Sequence, residues 1–188
     1  MQLIPTPSQT VGPFFSFCLT TEERCVKHIA GPAAKGERVS LTCRGLDGEG
    51  VPIDDAVIEI WQADAEGRYN CPEENPADPA CRGFGRMGTC ADGCCEFETI
   101  KPGRVPGPGG ILQAPHLNVA VFARGMLKQL YTRIYFAGDR ANGEDPVLAL
   151  VPKERRETLM ARQDRDRPDR WQFDIRLQGD NETVFFDV

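Results

Sequence analysis

Short alternating apolar segments, set between turns rich in proline and glycine, constrain this chain more than any other feature. The clearest is Ala56-Val-Ile-Glu-Ile-Trp-Gln-Ala63. Successive side chains of a strand point to opposite faces, so Val57, Glu59, Trp61 and Ala63 share one face and Ile58 and Ile60 the other. Val39-Ser-Leu-Thr-Cys43 alternates in the same way, and the Asp47-Gly-Glu-Gly50 turn follows it. Further strands are expected at 94–100, 117–123, 129–136, 171–177 and 183–186, with loops over 70–90 and 101–115. One helix is expected, opened by Pro152 as a first-turn residue and running to Arg162. Short strands joined by turn-rich links, without a βαβ rhythm, predict a mainly β fold. The expected architecture is an antiparallel β-sandwich with an extended N-terminal arm and one short helix. Pro5, Pro7 and Pro13 punctuate residues 1–15, which show no periodicity and read as an arm that docks on another surface. The expected division is an arm and lead-in over 1–36 and a sandwich over 37–188.

The chain of 188 residues is long enough to bury a substantial single core. No apolar run approaches the roughly 18 residues of a membrane span, and the first residues lack the basic and apolar regions of a secretory signal. A cytoplasmic location is therefore expected. A net charge of −6 argues against nonspecific nucleic-acid binding, which needs cations facing phosphates. Eight cysteines stand out: Cys18, Cys25, Cys43, Cys71, Cys81, Cys90, Cys94 and Cys95. A zinc site needs close pairs of ligands, and the single tight group, Cys90-x-x-x-Cys94-Cys95, has no histidine near it. Reduced cysteines used as small apolar residues are the expectation. Gly107-Pro-Gly-Gly110 has no phosphate-loop lysine after it, so it carries no nucleotide reading. The charge run from Arg162 to Arg170 reads as a solvated loop. Trp61 and Trp171 read as core or interface anchors.

The segment Ala114-Pro-His-Leu-Asn-Val119 bears most on function. It leads from the Gly/Pro-rich loop into an apolar strand, where position 118 shares a face with His116. A second histidine there would present two imidazoles to one metal ion, but Asn118 is a neutral amide and a poor transition-metal ligand. Ordered matches along the whole chain make it resemble the intradiol ring-cleaving dioxygenases. They are Thr6-Pro-Ser-Gln-Thr-Val-Gly-Pro-Phe14, Val57-Ile-Glu-Ile-Trp-Gln-Ala-Asp-Ala-Glu-Gly-Arg-Tyr69, Thr99-Ile-Lys-Pro-Gly103, Ala114-Pro-His116 and Tyr131-Thr-Arg-Ile-Tyr-Phe136. Arg155-Arg-Glu-Thr-Leu159, Phe173-Asp-Ile-Arg-Leu-Gln-Gly179 and Glu182-Thr-Val-Phe-Phe-Asp187 complete the series.

Catalytic members of that family hold Fe(III) with two tyrosines and two histidines, hard phenolates being suited to a ferric ion. This chain has two histidines, His28 and His116, and three tyrosines, Tyr69, Tyr131 and Tyr135. His28 lies away from the motif, and Tyr69 belongs to a turn that resembles a structural turn of the family. Where a ligand tyrosine follows Lys-Pro-Gly in catalytic members, this chain has Val105, and the loop 70–83 offers no tyrosine. By this resemblance three of the four ligands are absent, no metal and no catalytic residue is expected on this chain, and His116 reads as an interior hydrogen-bonded histidine.

The pattern is similar to the alpha chains of the family's two-chain enzymes. That implies an alpha/beta heterodimer, with higher oligomers, in which the beta subunit carries the ferric ion and alpha completes the substrate pocket. The implied substrate is protocatechuate, a small aromatic carboxylate. The residues expected to contribute are Thr10, Gly12, Pro13 and Phe14 of the arm, and Arg133, which shares a strand face with Tyr131 and Tyr135. The alternative reading is a metal-free β-sandwich that keeps the fold as a binding or interaction module. No nucleic-acid or membrane partner is expected.

Overall fold

The computed structural model describes residues 18–71 and 77–187, so Thr10, Gly12, Pro13 and Phe14 lie outside the described residues. Eight strands form one sheet: β1 Arg38–Leu46, β2 Val57–Trp61, β3 Phe84–Gly88, β4 Cys94–Ile100, β5 His116–Phe122, β6 Leu130–Phe136, β7 Met160–Gln163 and β8 Arg170–Arg176. Their spatial order is β3-β2-β5-β6-β7-β8-β1-β4. The sheet folds over on itself, and the inward faces of its two halves meet in one core. Ile58, Ile60, Leu117, Val119 and Ile134 come from one half, and Leu41, Phe97, Trp171, Phe173 and Ile175 from the other. The free edges β3 and β4 are tied by the segment before β1, which bridges Val26 to Arg86 and His28 to Glu98. The result is a sandwich nearly closed into a barrel, which leaves little exposed sheet edge.

Four expectations are corrected. The sheet is mixed and not purely antiparallel, because β1 runs parallel to β8 and β6 parallel to β7. A parallel return needs a crossover of a dozen residues or more, and the segment between Phe136 and Met160 supplies it. The expected helix from Pro152 to Arg162 is a 3-10 helix only, Lys153–Leu159, and the chain then becomes β7. Helix propensity loses there because Ala161 is buried in the main core while β7 pairs with both β6 and β8. The expected loop over 70–90 contains β3. Its sequence, Phe-Gly-Arg-Met-Gly, has two glycines and no strand signature. A Cβ on Gly85 would meet Ile29 at 2.6 Å and Phe97 at 3.0 Å, so this strand is built for close packing. At the C-terminus, 183–186 forms only a bridge from Phe186 to Tyr131.

Two local readings hold, the Asp47 turn and the Trp171 anchor. Asp47 closes its turn by accepting from the Glu49 and Val51 amides, with Gly50 at φ 83°. Trp171 is a core anchor, buried and set edge-on to Phe136 at 5.0 Å. Cys43, Cys81 and Cys95 are buried, and burial pushes the Cys95 thiol up to about 12, the behaviour of an inert packing residue, whereas Cys18, Cys71 and Cys90 are exposed and are not apolar filler. No helix among the described residues is long and apolar enough to cross a membrane.

Candidate functional site

The register of β2, β5 and β6 builds the site. Asn118 lies opposite Trp61 on one side and Arg133 on the other, and His116 lies opposite Tyr135. With a period of two, all of these point away from the main core, onto the outer face of that half of the sheet. The turns between β6 and β7 cover one end of this face. There Tyr135 packs with Ala114, Leu148, Val151 and Leu159 in a second, smaller core. Burial therefore grades along β6, from exposed Tyr131 through half-buried Arg133 to fully buried Tyr135.

Among the described residues Arg133 makes two hydrogen bonds, both from Nη1: to Gln113 Oε1 at 2.7 Å and to the Tyr135 hydroxyl at 3.5 Å. The Tyr135 hydroxyl donates to Asp145 Oδ1 at 3.2 Å. Asp145 is buried and also accepts from the amides of Ala114, Val147 and Leu148, so one carboxylate joins the lead-in to β5, the β6 face and the covering turn. Burial, partly offset by Arg133, pushes Tyr135 up to about 12.

His116 is 3% exposed. Its Nδ1 lies 2.8 Å from the Ala114 carbonyl, which can only accept, so Nδ1 carries the proton. Nε2 then presents a bare lone pair, buried and without a hydrogen-bond partner among the described residues. The expected interior histidine is thus satisfied at one nitrogen and not at the other. Burial, and then the Arg133 charge, lower His116 from 6.5 to about 4. Between those values the unfolded chain binds a proton that the folded chain refuses, so this group makes stability fall as pH drops from about 6.5 towards 4. Near the middle of that window the expected slope is about 1.4 kcal/mol per pH unit. Urea unfolding at several pH values checks it: His116→Asn should flatten this limb, and an unchanged slope would show that the ring protonates without cost.

Tyr69, Asn118 and Trp61 form the other end. The Asn118 amide donates to the Tyr69 hydroxyl at 2.9 Å and to the Trp61 carbonyl at 3.3 Å, and the Tyr69 and Trp61 rings lie 7° from parallel. Trp61 is 39% exposed on this face and is no core anchor. Tyr69 arrives through Gly67, at φ 80°, where a Cβ would lie 2.0 Å from the Arg104 carbonyl oxygen. Only glycine permits that approach, and it brings Tyr69 and the Arg104-Val105 segment to the same place. Val105 is buried, and its carbonyl accepts from the Gln113 amide.

The sequence set His116 with Asn118 on one strand face and Arg133 with Tyr131 and Tyr135 on another; the β5–β6 register brings the two faces side by side, while the arm residues lie outside the described residues. Sequence reasoning missed Gln113 and Asp145 and set Tyr69 aside as a turn residue. No local signal would have found them, since their contacts span 20, 10 and 49 positions.

The donors gathered here do not fit a ferric ion. Imidazole Nε2 is one usable ligand, and Asn118 is a neutral amide. Tyr135 resists ionisation and keeps its proton in a hydrogen bond donated to Asp145, while burial also raises Tyr69, against the pull of Asn118 and Arg133. The guanidinium beside them would repel a cation. Among the described residues no group of three or more His, Cys, Asp or Glu side chains is placed to hold a metal ion.

A family profile described as Dioxygenase matches residues 10–179. The chain is 44% identical to a protocatechuate 3,4-dioxygenase alpha chain from Burkholderia cepacia, over 97% of each protein. It is 40% identical to the alpha chain from Pseudomonas putida, over 100% of this chain and 98% of that one. A protocatechuate 3,4-dioxygenase beta chain from Burkholderia cepacia is 34% identical over 79% of this chain and 67% of its own length. In fold, the chain is similar to the dioxygenase domain of a carbohydrate-binding fusion from Streptomyces sp. SirexAA-E, at a TM-score of 0.64 and 24% identity, over 94% of this chain and 99% of that one. The chain belongs to the intradiol ring-cleavage dioxygenase family and is similar, from end to end, to protocatechuate 3,4-dioxygenase alpha chains.

Proposed function

We propose that this chain is the alpha subunit of a cytoplasmic protocatechuate 3,4-dioxygenase, binds no iron itself, and completes the substrate pocket of a related beta subunit that carries Fe(III). The assembled enzyme would take protocatechuate and O₂ to 3-carboxy-cis,cis-muconate, with both oxygen atoms entering the product. The observation that carries this reading is the composition of the outer-face site. His116, Asn118 and Tyr135 stand there with a cation, Arg133, whose hydrogen-bond partners among the described residues, Gln113 and Tyr135, are neutral. Such a site suits the carboxylate of an aromatic acid better than a metal ion. End-to-end similarity to alpha chains, together with similarity to a beta chain, supports a two-chain assembly. In the same reading Thr10, Gly12, Pro13 and Phe14 line the shared pocket from the arm.

Co-expression tests it. The full chain should copurify with a beta chain that bears two tyrosines and a His-x-His pair. Iron should be present at about one ion per pair, and ring cleavage should need both chains. Full occupancy of this chain by ferric ion in the absence of beta, with tyrosinate-to-iron absorption, would overturn the proposal. Failure to copurify would favour the metal-free binding module.

A further inference from the structure

We propose that Gln113 is a positioning residue that sets selectivity for an anionic ligand: its neutral amide holds the Arg133 guanidinium in place without cancelling its charge. This deepens the reading of Arg133 given above and rests on it.

Gln113 is 8% exposed, and its side-chain amide is held at both its nitrogen and its oxygen. Its side-chain amide donates to the Pro106 carbonyl at 3.2 Å, which turns the carbonyl oxygen Oε1 towards Arg133 Nη1 at 2.7 Å. Its backbone amide donates to the Val105 carbonyl at 2.8 Å, so the main chain is pinned as well. The reversed amide would set N–H groups against a guanidinium, which can only donate.

The charge that Gln113 holds is unusual for this region. Neighbouring cations are paired with acids, Lys101 with Asp139 at 2.7 Å and Arg104 with Glu144 at 3.1 Å. Among the described residues no carboxylate pairs with Arg133, and its hydrogen-bond partners, Gln113 and Tyr135, are neutral. The nearby acid, Asp145, is consumed by three backbone amides and the Tyr135 hydroxyl, and that hydroxyl stands between it and the guanidinium. Arg133 Nε and Nη2 make no hydrogen bond among the described residues, so an edge of the fork is left for a ligand. A half-buried cation held by dipoles alone gains most from an incoming carboxylate, because no intramolecular pair has to break first. A glutamate at 113 would occupy the same place and supply that pair internally.

The experiment uses the assembled enzyme and inhibition constants for two probes, 4-hydroxybenzoate and uncharged phenol. Gln113→Glu should weaken 4-hydroxybenzoate about tenfold or more and leave phenol within about twofold. Gln113→Leu, which keeps the charge but releases the guanidinium, should weaken 4-hydroxybenzoate by a smaller factor, about three- to fivefold, again with phenol unchanged. This second variant covers a failure of the first to assemble. Equal weakening of both probes, or an unchanged ratio in both variants, would overturn the role of Gln113. Arg133→Gln separates the two levels. If it leaves the ratio intact, the parent reading of Arg133 fails. If it abolishes the ratio while the Gln113 variants keep it, only the positioning role fails.

Discussion

Replacing Arg133 by alanine in the assembled enzyme is expected to lower kcat/KM for protocatechuate by about ten- to a hundredfold, with iron content unchanged. The estimate is the worth of one charge-assisted hydrogen bond, about 1.5–3 kcal/mol, read as lost transition-state binding. Long-range attraction cannot replace it. A chain of net charge −6 repels an anion, and salt screens that field beyond roughly 8–10 Å. The loss should appear mainly in KM if the carboxylate is held equally in ground and transition states. The change should also relieve the electrostatic pressure that the guanidinium puts on His116, whose pKa it helps to lower. Steady-state kinetics with metal analysis is the measurement. Unchanged kinetics in an iron-loaded complex would make Arg133 a structural residue of the face, held by Gln113 and Tyr135 for packing alone. Failure to assemble would place it at the subunit contact, against the pocket reading.

Asp145→Ala is expected to be the most damaging single change for stability, at about 3–4 kcal/mol. Asp145 is 1% exposed and accepts from the amides of Ala114, Val147 and Leu148 and from the Tyr135 hydroxyl. Alanine leaves four donors in the second core without acceptors. Each orphaned buried donor costs about 1–3 kcal/mol in isolation, and the total is below their sum because water can enter and the turn can relax. For a chain of this size that corresponds to a fall in Tm of about 10 °C. Asp145→Asn keeps one acceptor oxygen and the shape, so it should cost roughly half as much. Thermal unfolding of the two variants settles the order, and a drop under about 2 °C for Asp145→Ala would refute the hub role.

Much of the β framework was legible in the chain itself. Alternation located β1, β2, β4, β5, β6 and β8, because each strand buries one face in a shared core and the period of two survives in the residues. The same period set Arg133 with Tyr131 and Tyr135, and His116 with Asn118. The absence of a second histidine at 118 showed in the strand period, and the family resemblance marked Val105 as the place of a ligand tyrosine; an amide and an isopropyl group lack the donors a ferric ion needs.

Where local preference and tertiary demand disagree, only the folded structure decided. Met160-Ala-Arg-Gln163 reads as helix but extends, because a strand there joins the two halves of the sheet and buries Ala161. Phe84-Gly-Arg-Met-Gly88 reads as loop but pairs with β2, because Gly85 lets Ile29 and Phe97 close over it. The site followed the same division. A strand face is a local property and shows in the sequence. Gln113 holding Arg133, Asp145 holding Tyr135 and Asn118 reaching Tyr69 are contacts between segments whose approach depends on strand order, crossover and one close turn at Gly67. Residue types alone showed that a cation was available; the fold decided that no acid would neutralise it among the described residues.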